Sequence, residues 1–209
     1  MVEPSASRVG ISPIADALGE DFDRLHEAVR KHYADPTIDA SGIIVEIHVK
    51  GIIKPLALLS YRLFRGPVPH SGRDVEMSLH NRIDDSGTMH WIRTFFKNAT
   101  FPETITFPTR MVCSGDHRII ETARYGVGAE SDLSVDGEGS LVYDQRSYVA
   151  RVPFLGQVVR FPTWLCPFGG GRAKETGETE DSFKIEFEMR HPVFGRTVGY
   201  TGRCRFVSQ

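Results

Sequence analysis

The stretch DVEMSLHNRIDDSGTMHWIRTFF, residues 74–96, decides the fold. Its first ten residues alternate between apolar and polar, DDSG at 84–87 carries turn chemistry, and TMHWIRTFF alternates again. That is a β-hairpin. On its second strand a period of two puts Trp91, Arg93 and Phe95 on one face and His90, Ile92, Thr94 and Phe96 on the other. A guanidinium therefore shares with two aromatic rings a face suited to burial.

The same patterning continues to the end of the chain. Residues 104–128 give two runs around SGD, and residues 131–153 give another pair around DGEG. Residues 181–207, DSFKIEFEMRHPVFGRTVGYTGRCRFV, close the chain with a further hairpin. There Phe183, Ile185, Phe187 and Met189 face one way and Lys184, Glu186, Glu188 and Arg190 the other, the mark of a sheet with one wet face. The intervening CPFGGGRAKETGETED (166–181) is polar and glycine-rich and is expected to be a mobile loop.

Before residue 73 the signals are mixed. Residues 1–12 are polar, carry Pro4, and are expected to be a flexible leader to a single β-rich domain over 13–209. Residues 11–36 predict one helix, with Leu18, Phe22, Leu25, Val29 and Tyr33 as its apolar stripe, Pro36 as its stop, and His26 and His32 on a solvated face. Residues 42–51 predict a strand with Ile43, Val45, Ile47 and Val49 on one face and Ile44, Glu46, His48 and Lys50 on the other. KPLALLSYRLFRG (54–66) predicts a helix that is apolar over most of its circumference. It reads first as a buried core helix, and alternatively as a lid over a cavity or a patch that touches a membrane surface.

Eight to ten short strands, with no alternation of strands and helices, argue against a doubly wound nucleotide fold. The expected class is α+β and mostly β. A strongly curved or closed antiparallel sheet, lipocalin-like or helix-grip-like, would carry one or two helices and enclose a small-molecule cavity. The 209 residues suit one such domain. A net charge of -2 and a pI near 6.4 argue against broad nucleic-acid binding, which needs a strong positive field. No signal peptide and no membrane-spanning stretch is visible, so the default is a cytoplasmic protein with no transmembrane segment.

Motif chemistry is sparse. FGGGR (168–172) lacks the Lys-Ser/Thr ending of a phosphate loop. His80 and His90 flank the turn of the 73–96 hairpin and could meet across it, but no compact metal signature exists and no metal or cofactor is expected. Cys113, Cys166 and Cys204 read as packed thiols, and no nucleophile elbow occurs.

Arg93 is the more specific feature. A desolvated, unpaired charge costs several kcal/mol, so it must find an anion. The partner is either internal, from Glu46, Asp116 or Glu121, or the carboxylate, phosphate or enolate of a largely apolar ligand. Glu46 and His48, two apart, share a face and suit an acid–base pair in the same cavity. Tyr143, Arg146 and Tyr148 flank an expected turn or bulge.

Three local patterns resemble one family: LGEDFDRLHEAVRKHY at 18–33, HWIRTF at 90–95 and HPVFGRTVGYTG at 191–202. Together they are similar to a bacterial domain of unknown function, number 4166, over residues 13–207. The resemblance implies a domain found alone or fused behind reductases of the saccharopine-dehydrogenase type, and hence a possible reductase partner and small-molecule metabolism. It assigns no catalytic role to Trp91, Arg93, Phe95, His191, Pro192, Gly195, Gly199, Tyr200 or Gly202.

The first expectation is a domain that binds an apolar small molecule carrying an anionic group, lipid-, polyketide- or terpenoid-like, in secondary or lipid metabolism. Arg93 would hold the anion, and Trp91, Phe95, Phe187 and Tyr200 the apolar body. One alternative is a cofactor-independent isomerase, cyclase or dehydratase in the same cavity, with Glu46 or His48 as proton carrier and Arg93 or Tyr148 as stabiliser. Another is an accessory domain that docks on a reductase. Peripheral membrane contact fits the 54–66 helix.

Overall fold

A computed structural model describes residues 12–34, 37–151 and 158–207. The expected leader over 1–12 falls outside these residues, except for Ser12. Its side chain accepts from the Ile14 N–H and caps the first helix.

Eleven strands run β1 (Asp39–Val49), β2 (Gly72–Ile83), β3 (Met89–Phe95), β4 (Ile105–Gly115), β5 (Arg118–Thr122), β6 (Val127–Val135), β7 (Leu141–Arg151), β8 (Val158–Pro162), β9 (Gly170–Thr179), β10 (Ser182–His191) and β11 (Gly195–Phe206). They pair in the order β6-β5-β4-β3-β2-β1-β11-β10-β9-β7-β8, and β6 also pairs with β7. That last pairing closes a ring of ten antiparallel strands, with β8 appended to β7. The expectation of a closed, lipocalin-like antiparallel barrel therefore holds. Barrel diameter grows with strand number, and eight strands already give a bore that side chains just fill.

The ring has one weak seam. β7 pairs with β9 only from Leu141 to Asp144, then takes β8 as partner from Ser147 to Arg151. Arg146 has no counterpart on β6, a bulge where the sequence suggested one. Past Asp144 the Gly171 N–H donates to the Gln145 side chain at 2.8 Å instead of to a strand carbonyl. Residues 163–169 close over the gap, and the Tyr148 hydroxyl donates to the Gly169 carbonyl at 2.8 Å.

Three short helices cover the ends. α1 (Pro13–Leu18) and α2 (Glu27–Ala34) plug the end where β2 and β3 meet, and α3 (Lys54–Phe64) crosses the other, open end between β1 and β2. The single long helix expected over 11–36 is not formed. Gly19 ends α1 at φ 55, ψ -125, a conformation open to glycine, and a 3-10 turn follows over Gly19–Arg24. The chain restarts at α2, where the Ala28 N–H bonds His26 Nδ1 and the His26 N–H bonds the Gly139 carbonyl. The stripe is still used: Leu18, Leu25, Val29 and Tyr33 are buried and Phe22 packs on the core. The new phase turns His32 inward, however, so it is fully buried and not solvated.

Three other expectations are corrected. Residues 166–181 hold β9, a strand of the barrel wall, not a free loop. In β1 a bulge after Ile44 shifts the phase: Ile44, Ile47 and Val49 face the core, and Ile43 and Val45 face solvent. α3 buries only Ala57 and Tyr61 and exposes Leu59 and Leu63, so it is a lid and not a core helix.

The glycines of the closing hairpin act as expected. Gly195 takes φ 67 at the turn. A Cβ on Gly202 would lie 2.3 Å from Ile44 Cδ1 and 2.7 Å from the Ile43 carbonyl, so β11 approaches β1 closely only because no side chain intervenes.

Candidate functional site

Register fixes which side chains enter the bore. Leu79 lies opposite Arg93 and Met77 opposite Phe95; Arg93 in turn lies opposite Phe107, Met111 opposite Glu121, and Glu121 opposite Ala129. The inward set continues through Ser131, Gln145, Tyr143, Ala173, Phe187 and Tyr200. Toward α1 and α2 these positions are sealed. Toward α3, Phe107, Glu121, Ser131, Gln145, Ala173 and Phe187 are inward yet partly accessible, although their neighbours pack tightly. The bore is thus filled at one end, while its inward side chains are partly accessible at the other.

Arg93 stands at the boundary, 7% exposed. Its guanidinium lies 4.1 Å from the centre of the Trp91 ring and 4.2 Å from that of Phe107. The aromatic sandwich is therefore made with Trp91 and a residue of the neighbouring strand, not with Phe95. Nη2 donates to Thr109 Oγ1 at 3.0 Å and to the Glu121 carboxylate. Of the three internal partners the sequence allowed, Glu121 is the one used. Burial works against the guanidinium charge, but Glu121 and the Tyr200 phenol beside it hold its pKa above the ordinary value.

Deeper in the bore lies a second polar group. The Tyr143 hydroxyl donates to the Tyr33 hydroxyl at 2.6 Å, which donates to Glu175 Oε1 at 2.7 Å. Burial lifts the Glu175 carboxyl to about 7, against the pull of the Tyr33 hydrogen bond and Arg93. Burial and the same carboxylate push both phenols well above their usual range. His32, whose ring lies tilted 4.7 Å from Phe183, is driven down to about 3 by desolvation. Glu175 Oε2, Arg93 Nε, Trp91 Nε1, Asn81 Oδ1 and His32 Nδ1 have no hydrogen-bond partner among the described residues. Buried polar atoms are rarely left so.

The residues singled out from sequence divide clearly. Trp91, Arg93, Phe187 and Tyr200 come together; the Phe187 and Tyr200 rings are 5.1 Å apart. Phe95 is fully sealed against Tyr200 and supports the site from behind. Tyr148 faces inward near the lid, its pKa raised by burial. Glu46 and His48 do share a face, but it is the outer one. They line a shallow groove of about 340 Å³ with Ser71, Arg73 and Thr100, away from Arg93. The bulge in β1 is the reason. His80 and His90 do not meet: their cross-strand neighbours are Ile92 and Arg82, and their rings bond Asp39 and Asp84. Among the described residues no cluster of three or more His, Cys, Asp or Glu is placed to hold a metal, and the three cysteines are free thiols.

Sequence reasoning missed the Tyr143–Tyr33–Glu175 chain and the Thr109 hydroxyl beside Arg93. Glu175 sat in a segment read as a loop, and Tyr33 in a helix stripe where an aromatic signals only packing. The one available signal was alternation in GGRAKETGET, where Gly171, Ala173, Glu175 and Gly177 share a face.

A family model described as a domain of unknown function (DUF4166) matches residues 25–204. The crystal structure of Rv2717c from M. tuberculosis is similar over 91% of this chain and 99% of that chain, at 8% sequence identity and a TM-score of 0.47. None of the curated proteins matches. Among the described residues no helix is long and apolar enough to cross a membrane.

Proposed function

We propose, for a chain that belongs to the DUF4166 family, that the open half of the barrel binds a small, largely apolar molecule by an anionic head group at Arg93. The observation that carries this reading is the placement of Arg93. It lies between two rings beside inward side chains that are partly accessible, and its Nε and the neighbouring Trp91 N–H have no partner among the described residues. Phe187, Tyr200 and Phe107 offer apolar surface around it. Glu121 occupies the guanidinium when no guest is present, and an incoming carboxylate exchanges with it. The test compares palmitate with hexadecanol in direct titrations. Arg93→Met is expected to weaken palmitate by more than about tenfold and to leave hexadecanol nearly unchanged; equal loss for both would refute the anchor.

The Tyr143–Tyr33–Glu175 chain favours a second reading, proton transfer on a bound guest without a cofactor. Here Glu175 replaces Glu46 and His48 as the proton carrier, because it is the carboxyl inside the bore whose pKa lies near neutrality. Deuterium exchange into a bound ketone at neutral pH, lost in Glu175→Gln while binding persists, would distinguish catalysis from carriage.

A further inference from the structure

The open end carries several of the most exposed large apolar side chains among the described residues. Leu59 and Leu63, one helical turn apart on the outer face of α3, are 52% and 47% exposed, and Ile52 just before the helix is 69% exposed. Tyr125, Trp164 and Val193 are 65%, 60% and 79% exposed. They are neighbours around one mouth. α3 packs beside the turn that holds Tyr125. Lys50 bonds the Phe194 carbonyl, which joins the α3 approach to the Val193 turn, and His191 bonds the Trp164 carbonyl at 3.2 Å. Isolated exposed apolar residues are ordinary, but a ring of them around the entrance to a bore is not.

Charge is distributed to match. Residues 50–73, which include α3, hold five Lys and Arg and no Asp or Glu. Lys54, Arg62, Arg65 and Arg124 at this end are paired with no carboxylate among the described residues. The turns at the sealed end are acidic: Asp84 and Asp85, Asp116, Asp136 and Glu138, and Glu178, Glu180 and Asp181. A chain with a net charge of only -2 is thus polarised along the barrel axis.

We propose that the open end docks on an anionic lipid bilayer, with α3 lying in the interface and the mouth facing the membrane. Leu59, Leu63, Trp164 and Val193 enter the acyl boundary while Lys54, Arg62 and Arg124 meet the headgroups. A second copy of this chain is disfavoured as the occupant, because a symmetric contact would press two cationic ends together. Docked this way, an apolar guest passes between bilayer and bore without crossing water. That purpose rests on the ligand-binding reading above; the docking does not.

The test is co-sedimentation with vesicles of phosphatidylcholine alone or with roughly one-third phosphatidylglycerol. The full chain is expected to bind the anionic vesicles at least tenfold better and to release at about 0.5 M salt. Leu59→Ser with Leu63→Ser, both at exposed positions, is expected to abolish binding without changing the melting temperature. In a Trp91→Phe background, Trp164 emission should shift to the blue on anionic vesicles and be quenched by brominated lipid. Arg93→Met should bind vesicles like the wild type, which separates a failed ligand assay from a failed docking assay. Absence of vesicle binding overturns the proposal, whether the protein is then monomeric or a dimer broken by the leucine variant. Binding that survives the leucine variant overturns it as well.

Discussion

Arg93 on β3 reaches past β4 to Glu121 on β5, and the two charges meet on the inner face of the barrel. A pair two strands apart ties the wall together at the boundary between its filled and open halves. It also sets a competition, because any anionic guest must share or take over the guanidinium.

The first prediction follows from that competition. Glu121→Gln removes the resident anion but keeps the side-chain shape. Palmitate should then bind roughly tenfold more tightly, as titration calorimetry would show. The unliganded variant should be less stable by about 3 kcal/mol, because a buried guanidinium loses its carboxylate. Weaker palmitate binding would mean that Glu121 orients Arg93 for the guest and does not compete with it.

The second concerns Glu175. Its folded pKa of about 7 lies above its ordinary 4.5, so folding takes up a proton between those values. The stability linked to the protonated carboxyl is complete below pH 4.5 and is lost as the pH rises through 7. The loss is on the order of 3 kcal/mol. With His32 replaced by Leu, denaturant melts should weaken from pH 5 to pH 8, and adding Glu175→Gln should flatten that slope. An unchanged slope would place the effect elsewhere.

His32 predicts the opposite limb. Its folded pKa, about 3, lies below its ordinary 6.5. The stability linked to the neutral imidazole is present above pH 6.5 and is lost as the pH falls toward 3. The two groups therefore offset each other between pH 4.5 and 6.5. In His32→Leu the backbone carbonyl that accepts from Asn81 remains, at 3.0 Å in the native protein. The variant should resist acid better between pH 5 and pH 4, measured by near-ultraviolet circular dichroism.

The fourth prediction contrasts two glycines. Gly202→Ala places a methyl against the Ile43 carbonyl and the Ile44 side chain, and should cost roughly 1–3 kcal/mol. Gly137→Ala in the β6–β7 turn meets nothing within 4 Å and should be nearly neutral. Equal melting temperatures for the two variants would contradict the close approach of β11 to β1.

The barrel was legible because hairpins such as 74–96 and 182–206 bury one face and wet the other, which leaves a period of two. β9 was not, because its inward positions are Gly171, Ala173, Glu175 and Gly177: small or charged residues, with His26, Gln145 and Phe187 packed where the glycines would carry side chains, so no apolar alternation is left to read. Arg93 stood out because a charge among aromatics breaks the pattern, whereas Glu175 broke no pattern that could be seen. The inward turn of His32 depended on the break at Gly19, and the outward turn of Glu46 and His48 on one extra residue in β1. Phase errors of this kind follow from counting periods across a bulge or a cap that tertiary contacts create.

The partial pairing of β7 with β9 has a mechanical consequence. Every other junction in the ring is zipped over at least five residues, while this one shares four before β8 intervenes. A tube slit along part of one side does not swell evenly; it opens like a cuff. On the proposed binding reading, the largest guest would be set by how far residues 163–169 yield, with the girth of the remaining wall fixed. Amide protons flanking Asp144 should be the first to exchange, and shape changes on loading should appear there while the opposite wall stays still.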